Sequence, residues 1–265
     1  MLSPLYGQLS PLRIPTKVAG LDPDALAYIA AVEAADGQAL EEGVATAFTE
    51  FITGCKSDGI WDAIKASCIL AGARTLSSAL VPLVGTAPTN FNFVSGDYDR
   101  ETGLKGNGST KYLDSTRAAN DDPQNSCHIS YYQTYGVNRV ECPIGSNSSA
   151  NYKHIFIASG SAYARLTGGA YTSAAGITTS GLYGASRGSS STINYKKPST
   201  SVQSFTGNSV APSSLNSFVF AQNTNGSAAF WSTRRLSFYS IGEDIDLSLL
   251  NTRVSTLMTD IAAAI

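Results

Sequence analysis

Charged side chains are scarce in this sequence. Asp, Glu, Lys and Arg together make up 14% of the 265 residues, whereas an average globular domain has about 25%. Acids are the scarcest locally, because residues 143–242 contain no Asp or Glu and carry seven bases. The hydrophobic fraction of 43% is sufficient for a buried core, and the net charge is only −2. These values exclude an intrinsically disordered chain and a strongly basic nucleic-acid-binding protein.

Long apolar segments are also missing. No uninterrupted apolar run approaches the roughly 18 residues that a membrane-spanning helix needs. The N-terminal residues 1–21 contain three prolines and lack the apolar centre of a secretory signal. We therefore expect a protein that is made and folded in the cytoplasm and does not insert into a membrane.

Cysteines with the short spacings of zinc or redox sites are absent as well. Cys55 and Cys68 are interpreted as small apolar residues on helices. Cys127 and Cys142 flank a predicted hairpin, where reduced core thiols are favoured and a disulfide remains the alternative. No metal and no cofactor is predicted.

The first part of the chain is predicted to be an extended arm (residues 1–21) followed by helices. Asp22 is a suitable N-cap for a helix that starts at Pro23 and ends at Gly37. Two more helices are expected, with the apolar stripes Leu40, Val44, Phe48, Phe51, Ile52 and Cys55, and then Ile60 or Trp61, Ile64 and Cys68. Residues 22–87 are assigned to a helical attachment region.

From residue 88 the pattern changes to short strand-like segments separated by Gly, Asn and Ser. The predicted strands are 98–104, 110–114, 128–135, 139–144, 154–159, 162–167, 181–186, 192–195, 218–222 and 236–241. A final helix from about Asp246 has the apolar stripe Leu250, Val254, Leu257, Ile261 and Ile265. Residues 88–265 are thus predicted to form an all-β sandwich or jelly roll with a terminal helix.

Several segments resemble a known family. GLKGNGSTKYLDS (103–115), GLYGASRGSSSTINY (181–195) and RRLSFYSIGEDIDLSLLNTRVSTLM (234–258) resemble a concanavalin A-like (laminin G-like) jelly roll. The block FITGCKSDGIWDAIKA (51–66) is similar to the helical lead-in of such domains in tailed-bacteriophage virion proteins. The resemblance implies a virion structural protein that contacts other virion proteins through residues 1–72 and forms a homotrimer.

Some members of that fold family hydrolyse glycosides, which usually requires two carboxylates about 5–9 Å apart. The long stretch without acids supplies none. The alternating acids Asp97, Asp99 and Glu101 are interpreted first as an exposed turn, then as catalytic groups, and last as a calcium site. His128 and His154 stand in no catalytic motif. We therefore predict no catalytic residues and no enzyme activity.

Binding is the stronger hypothesis, because the resemblance implies recognition of glycans or protein surfaces and sugars stack on aromatic rings. The candidate ligand-binding residues are tyrosines beside small polar residues and one arginine of the acid-free stretch: Tyr152, Tyr163, Tyr171, Tyr183, Tyr195 and Arg187. We expect only a minority of the tyrosines to face solvent, in one cluster, because Tyr also favours strand interiors.

The leading functional hypothesis is a tail fibre component of the virion that binds a host-surface glycan. The alternative is a capsid decoration (cement or head fibre) protein without a receptor role, and a polysaccharide-degrading enzyme is less favoured. Nucleic-acid binding is not expected. The sequence has two local pairs of basic residues, Lys196–Lys197 and Arg234–Arg235. Because adjacent strand residues point to opposite faces, each pair would place only one positive charge on a given face.

Overall fold

A computed structural model describes residues 22–149, 151–168, 172–175 and 177–265. The predicted arm, residues 1–21, lies outside the described residues. The described chain forms two largely antiparallel sheets packed face to face, with helices on the outer face of one sheet. This arrangement confirms the predicted fold class, a mainly β sandwich with N-terminal helices and a C-terminal helix. No helix among the described residues is long and apolar enough to cross a membrane.

The first two helices lie where the sequence predicts them. Helix α1 (Pro23–Asp36) follows Asp22, whose carboxylate accepts two backbone N–H groups of the first turn at 3.0 and 3.2 Å. It ends at Gly37, which has the left-handed φ of 70° that favours glycine. Helix α2 (Glu42–Ser57) buries the predicted apolar stripe from Val44 onwards, so periodicity alone placed it correctly.

The prediction of a third helix is wrong. A single 3-10 turn at residues 61–63 leads into strand β1 (Ile64–Ile69), which pairs with the last strand of the chain. Ile64 and Ile69 lie in the core under the helices, whereas Ala66 and Cys68 lie in the core between the sheets. A segment that is apolar on both faces shows no clear period, so a buried strand resembles a buried helix.

The remaining elements follow in chain order. The short helix α3 is Leu76–Ala79 and the terminal helix α4 is Leu247–Ala264. The strands are β2 (Thr89–Phe91), β3 (Tyr98–Asp99), β4 (Gly103–Lys105), β5 (Tyr112–Ala118), β6 (Cys127–Tyr135), β7 (Glu141–Ser148), β8 (Asn151–Ala158), β9 (Ser161–Leu166), β10 (Thr172–Ala175), β11 (Gly181–Arg187), β12 (Thr192–Lys196), β13 (Gln203–Thr206), β14 (Asn216–Val219), β15 (Gln222–Thr224), β16 (Ser227–Ala229) and β17 (Arg235–Gly242). Each predicted strand overlaps at least one of these, and β2, β10, β13 and β16 are additional.

The strands form sheets A and B. Sheet A has the order β13-β12-β11-β6-β17-β4-β3, and β1 also pairs with β17. Sheet B has the order β10-β9-β8-β7-β14-β5-β2, and the β15–β16 hairpin joins it through β7. Inward-facing residues such as Ile129, Ile155 and Val219 fill the core between the sheets.

The helices cover the outer face of sheet A. Helix α4 begins after Asp246, close to the predicted start, and the Asp246 carboxylate accepts the backbone N–H groups of Ser248 and Leu249. The helix buries four positions of the predicted stripe: Leu250, Val254, Leu257 and Ile261. The fifth position is wrong, because Ile265 is 47% exposed. The ring of Phe51 on α2 meets that of Phe238 on β17 edge to face at 5.7 Å between centroids. A second apolar core therefore joins α1, α2 and α4 to sheet A.

The four cysteines are buried free thiols. Cys127 and Cys142 are therefore separate in this structure, in agreement with the favoured interpretation. Burial raises the pKa of Cys55 and that of Cys68 to about 12. Because the thiolate is the reactive form, these buried thiols are structural residues.

Candidate functional site

Three of the six predicted binding residues lie in the interior. Tyr183 and Tyr195 are 0% and 1% exposed in the core between the sheets, where Tyr183 stacks on Tyr131. Arg187 is also fully buried, and its guanidinium donates to backbone carbonyls, including that of Leu166 at 3.0 Å. The large rings fill inward-facing strand positions, so a ligand role for these three residues is incompatible with their burial.

Two other predicted residues share one surface. Tyr152 and Tyr163 lie on the neighbouring strands β8 and β9, on the outer face of sheet B, and both are half-buried. The guanidinium carbon of Arg165 lies 4.3 Å from the centroid of the Tyr152 ring. Phe156 is the direct cross-strand neighbour of Tyr163. The structure thus brings two predicted tyrosines onto one aromatic surface, whereas Tyr171 lies outside the described residues.

A polar cavity of about 580 Å³ opens at the end of sheet A where β4, β6 and β17 meet. Its volume lies within the range of about 300–1,000 Å³ that is usual for small-ligand sites. Its lining is polar or charged for the most part: Gly96, Asp97, Lys105, Gly106, Asn107, Tyr135, Val137, Arg139, Thr233 and Arg235. We take this cavity as the candidate site, because its lining combines a tyrosine with three cations and other polar groups.

A row of three side chains crosses three strands at the cavity. Arg235 on β17 pairs directly with Lys105 on β4 and with Tyr135 on β6. Directly paired residues project from the same face of a sheet, so the three side chains lie side by side. The Lys105 ammonium lies 5.8 Å from the centroid of the Tyr135 ring, a cation–π distance. Because Tyr135 is 50% exposed, the row presents an accessible ring beside two cations.

The segment GLKGNGS forms one wall of the cavity, and close backbone contacts require its glycines. A Cβ atom on Gly103, where φ is 101°, would overlap the carbonyl oxygen of Leu236. A Cβ atom on Gly106 would overlap the carbonyl oxygen of Ser232. The pattern that carries the family resemblance therefore lets β4 lie against the chain around β17, which brings Lys105 to the cavity.

A buried ion pair supports the opposite wall. Arg234 Nε lies 2.7 Å from Glu141 Oε1, and both side chains are 0% exposed. Arg234 Nη2 donates to the carbonyl of Val137 at 3.0 Å, and Glu141 accepts the backbone N–H of Thr233 at 2.7 Å. The pair thereby fixes two residues of the lining. The predicted splitting of Arg234 and Arg235 is confirmed, since Arg234 is buried and Arg235 lines the cavity.

Asp97 is the one carboxylate among the described residues that line the cavity. It forms a salt bridge with Lys111 and accepts the backbone N–H of Val94 at 2.8 Å. Burial by itself would raise the pKa of Asp97, but these hydrogen bonds and the charges of Lys111 and Arg235 hold it below its ordinary value. At neutral pH, Asp97 is a carboxylate compensated by Lys111.

The acidic run from Asp97 to Glu101 has the geometry of a turn. Asp99 Oδ1 accepts the backbone N–H groups of Glu101 and Thr102 at 3.1 and 2.8 Å, closing the hairpin between β3 and β4. The hydrogen bond from the Thr102 hydroxyl is the main cause that lowers the pKa of Asp99. Within the described ranges, no three His, Cys, Asp or Glu side chains are grouped to hold a metal ion.

Both histidines are buried outside the cavity lining. His128 donates from Nδ1 to the carbonyl of Glu243 and accepts from the Ser240 hydroxyl, and burial lowers its pKa to about 4. Burial lowers the pKa of His154 to about 3. Among its described residues, the lining thus has one compensated acid and no imidazole. Among the described lining residues, Asp97 alone could contribute to the acid pair that glycoside hydrolysis normally uses.

The cavity residues Lys105, Tyr135, Arg139 and Arg235 are missing from the predicted binding residues. Tyr135 did carry the signal used for the other tyrosines, because it ends a predicted strand and precedes Gly136. The sequence gives no measure of which such tyrosine is exposed. The pairing of Tyr135 with Arg235 depends on a register between strands that are distant in the chain.

The sequence matches no protein-family model and no curated protein. Among solved structures, a mutant NanB sialidase from Streptococcus pneumoniae is similar at 15% identity over 57% of this chain and 27% of that chain, with a TM-score of 0.43. The binding domain of botulinum neurotoxin serotype D is similar at 11% identity over 74% of this chain and 51% of that chain, with a TM-score of 0.48.

A third similar structure is the enzymatically active domain of tailspike protein 2 from bacteriophage CBA120. Its identity is 11% over 68% of this chain and 30% of that chain, with a TM-score of 0.37. This chain therefore spans about a quarter to a half of the length of these three structures.

Proposed function

We propose that this chain is a phage virion component, of the tail fibre type, that binds a host-surface glycan in the cavity beside Tyr135. The observation that carries the proposal is the half-exposed Tyr135 ring at a polar cavity of about 580 Å³. A sugar ring offers an apolar face that stacks on an aromatic ring and hydroxyl groups that need polar partners. The cavity supplies both kinds of contact within a few residues.

Each cavity residue has a distinct role in this proposal. Tyr135 supports a sugar ring, while the N–H groups of Lys105, Arg139 and Arg235 donate to its oxygen atoms. The walls are held in place before the ligand arrives by the buried Arg234–Glu141 pair and by the glycine contacts of β4. Such preorganisation reduces the entropy lost on binding.

The virion assignment is supported by the sequence resemblance in residues 51–66 and 234–258. Attachment to other virion proteins is proposed for residues 1–72, and the homotrimer belongs to the same proposal. Strand β1 is part of sheet A and is therefore not available for attachment. The attachment surface would then be the arm together with the exposed sides of α1 and α2. Leu26 on α1, which is 44% exposed, is a suitable apolar contact there.

The binding test uses polysaccharide extracted from host cells, immobilised on a sensor surface, and the full chain in solution. Tyr135→Ala is expected to weaken binding about tenfold, because loss of one stacked ring is worth about 1–2 kcal/mol. Tyr163→Ala, on the outer face of sheet B, is the matched control and should bind like the wild type. A loss confined to Tyr163→Ala would move the site to the Tyr152–Tyr163 surface, and absence of wild-type binding would refute the proposal.

Two further measurements separate the alternatives. Labelled antibody against the protein should mark the tail, and marking of the head without host-cell binding would favour a capsid decoration protein. Incubation with host polysaccharide should release no reducing ends. Their release would favour a polysaccharide-degrading enzyme.

A further inference from the structure

We infer that the cavity binds an anionic saccharide unit, one that carries a carboxylate or sulfate group, with Arg235, Lys105 and Arg139 as its charged partners. The inference rests on the proposed function, because it names the chemical class of the glycan bound beside Tyr135. It also goes beyond that function, since a neutral glycan would satisfy the proposed function equally well.

The first observation is that three cations meet at the cavity without acidic partners. Among the described residues, no acid lies within salt-bridge distance of Arg235, Lys105 or Arg139. Arg235 Nη1 donates to the carbonyl of Gly103 at 2.6 Å, and Arg139 Nη2 donates to the carbonyl of Gly108 at 3.2 Å. These carbonyls orient the guanidinium groups, and the negative charges of Asp97 and Asp99 act on Arg235 only from beyond salt-bridge distance.

The second observation is the direct pairing of two like charges. Lys105 and Arg235 are cross-strand partners in sheet A, and like charges placed directly opposite each other destabilise a sheet. Residues that destabilise the fold locally are found mainly at functional sites. An anion bound between the two side chains would replace this repulsion with two attractive contacts.

The third observation concerns the acid that does line the cavity. Asp97 is held in a salt bridge by Lys111, so this pair contributes no net charge. The lining then retains the three positive charges of Lys105, Arg139 and Arg235. A cavity with this excess favours an anionic ligand over a neutral one of the same shape.

The arrangement fits a saccharide that has an anionic group on its ring. Tyr135 offers a face for the ring, and its register neighbour Arg235 offers a planar guanidinium, which binds carboxylate or sulfate oxygens through two N–H groups. A nucleic acid would instead need basic side chains spaced along an extended surface, where they could contact successive phosphates. Arg234 is buried, and the Lys196 ammonium donates to backbone carbonyls, so neither residue extends the group of cations at the cavity.

The test uses the full chain and two pairs of immobilised polysaccharides that differ in charge. One pair is polygalacturonate and its carboxyl-reduced form, and the other is dextran sulfate and dextran. The wild type should bind at least one anionic member about tenfold more tightly than its neutral counterpart, and added NaCl should weaken that binding. Preference within the first pair identifies a carboxylate ligand, and preference within the second identifies a sulfate.

Two variants tie the preference to the cavity. Arg235→Gln should remove the charge preference, whereas Arg165→Gln, on the outer face of sheet B, removes the same charge and should retain it. Lys105→Gln should reduce the preference and serves as the second cavity variant if Arg235→Gln does not fold. Thermal unfolding of each protein checks the fold.

The possible failures are distinguishable. Equal binding of anionic and neutral members, or a preference that survives in Arg235→Gln and Lys105→Gln, would overturn the inference and leave the proposed function standing. Binding to none of the four polysaccharides would also overturn it, while the proposed function is decided separately by host polysaccharide and Tyr135→Ala. Tighter, Arg235-dependent binding of a single-stranded oligonucleotide would overturn the choice of a saccharide.

Discussion

The molecule places its basic side chains in two kinds of surroundings. In the interior, Arg234 faces Glu141 and Lys153 faces Asp122, and the side chains of both pairs are 0–1% exposed. At the cavity, Arg235 lies next in sequence to Arg234 and has no acidic partner among the described residues. Arg234 and Lys153, which support the fold, thus each have a buried acid as their partner. The base at the cavity is left available for a ligand.

The sharpest test of this comparison replaces the two neighbouring arginines in turn. Arg234→Met should lower the free energy of unfolding by about 3–5 kcal/mol, because it leaves Glu141 buried without its partner. Arg235→Met should lower it by no more than about 1 kcal/mol, because Arg235 is half-buried and loses one hydrogen bond, to the carbonyl of Gly103. Urea unfolding at pH 7 measures both values.

A double variant provides the control for that pair. Replacing both partners, Arg234→Met with Glu141→Leu, should recover much of the loss, because no uncompensated charge then remains in the interior. Equal destabilisation by Arg234→Met and Arg235→Met would break the comparison. It would mean that Arg235 supports the fold as much as its neighbour does.

The predictable parts of the structure are those governed by local chemistry. Asp22, Pro23 and Gly37 mark the limits of α1 because capping and left-handed geometry depend on a few adjacent residues. Arg234 and Arg235 are separated as predicted, although Arg234 lies just before β17 and not within it. The apolar stripe of α4 is predictable from its helical periodicity.

The parts that escaped prediction depend on contacts between distant segments. Strand β1 is apolar on both faces because helices cover one and sheet B the other, and this environment is invisible in residues 64–69 alone. Tyr183 and Tyr135 are both strand tyrosines next to glycine, yet one is 0% and the other 50% exposed. Lys105, Tyr135 and Arg235 lie side by side at the cavity only because of the register in which β17 pairs with β4 and β6.

The second prediction tests how poorly the interior tolerates a charge without a partner. Burial lowers the pKa of His128 to about 4 and that of His154 to about 3, against about 6.5 in the unfolded chain. The unfolded state therefore binds more protons below pH 6.5. Stability should be fully present above pH 6.5 and fall by up to about 1.4 kcal/mol per pH unit for each histidine below it.

The window from pH 6.5 to 5 isolates this effect, because the chain has only 2 histidines and unfolded carboxyl groups titrate below about pH 4.5. Urea unfolding at intervals of pH measures the slope. The double variant His128→Gln with His154→Gln should show a much flatter profile. A wild-type profile that is already flat over this window would show that the buried sites accept protons without penalty, which would weaken the contrast with the cavity.

The smallest expected effect comes from the cavity itself. Lys105→Gln removes one member of the like-charged pair with Arg235, so it should raise the free energy of unfolding by a few tenths of a kcal/mol at low salt. The gain should disappear at high salt, where the repulsion is screened. Lys65→Gln is the matched control, because it breaks a surface salt bridge with Glu243 and should shift stability slightly in the other direction. A loss of stability in Lys105→Gln would show that this lysine supports the fold through its contact with Tyr135. The buried bases and the bases at the cavity would then differ in their degree of burial, and both would stabilise the fold.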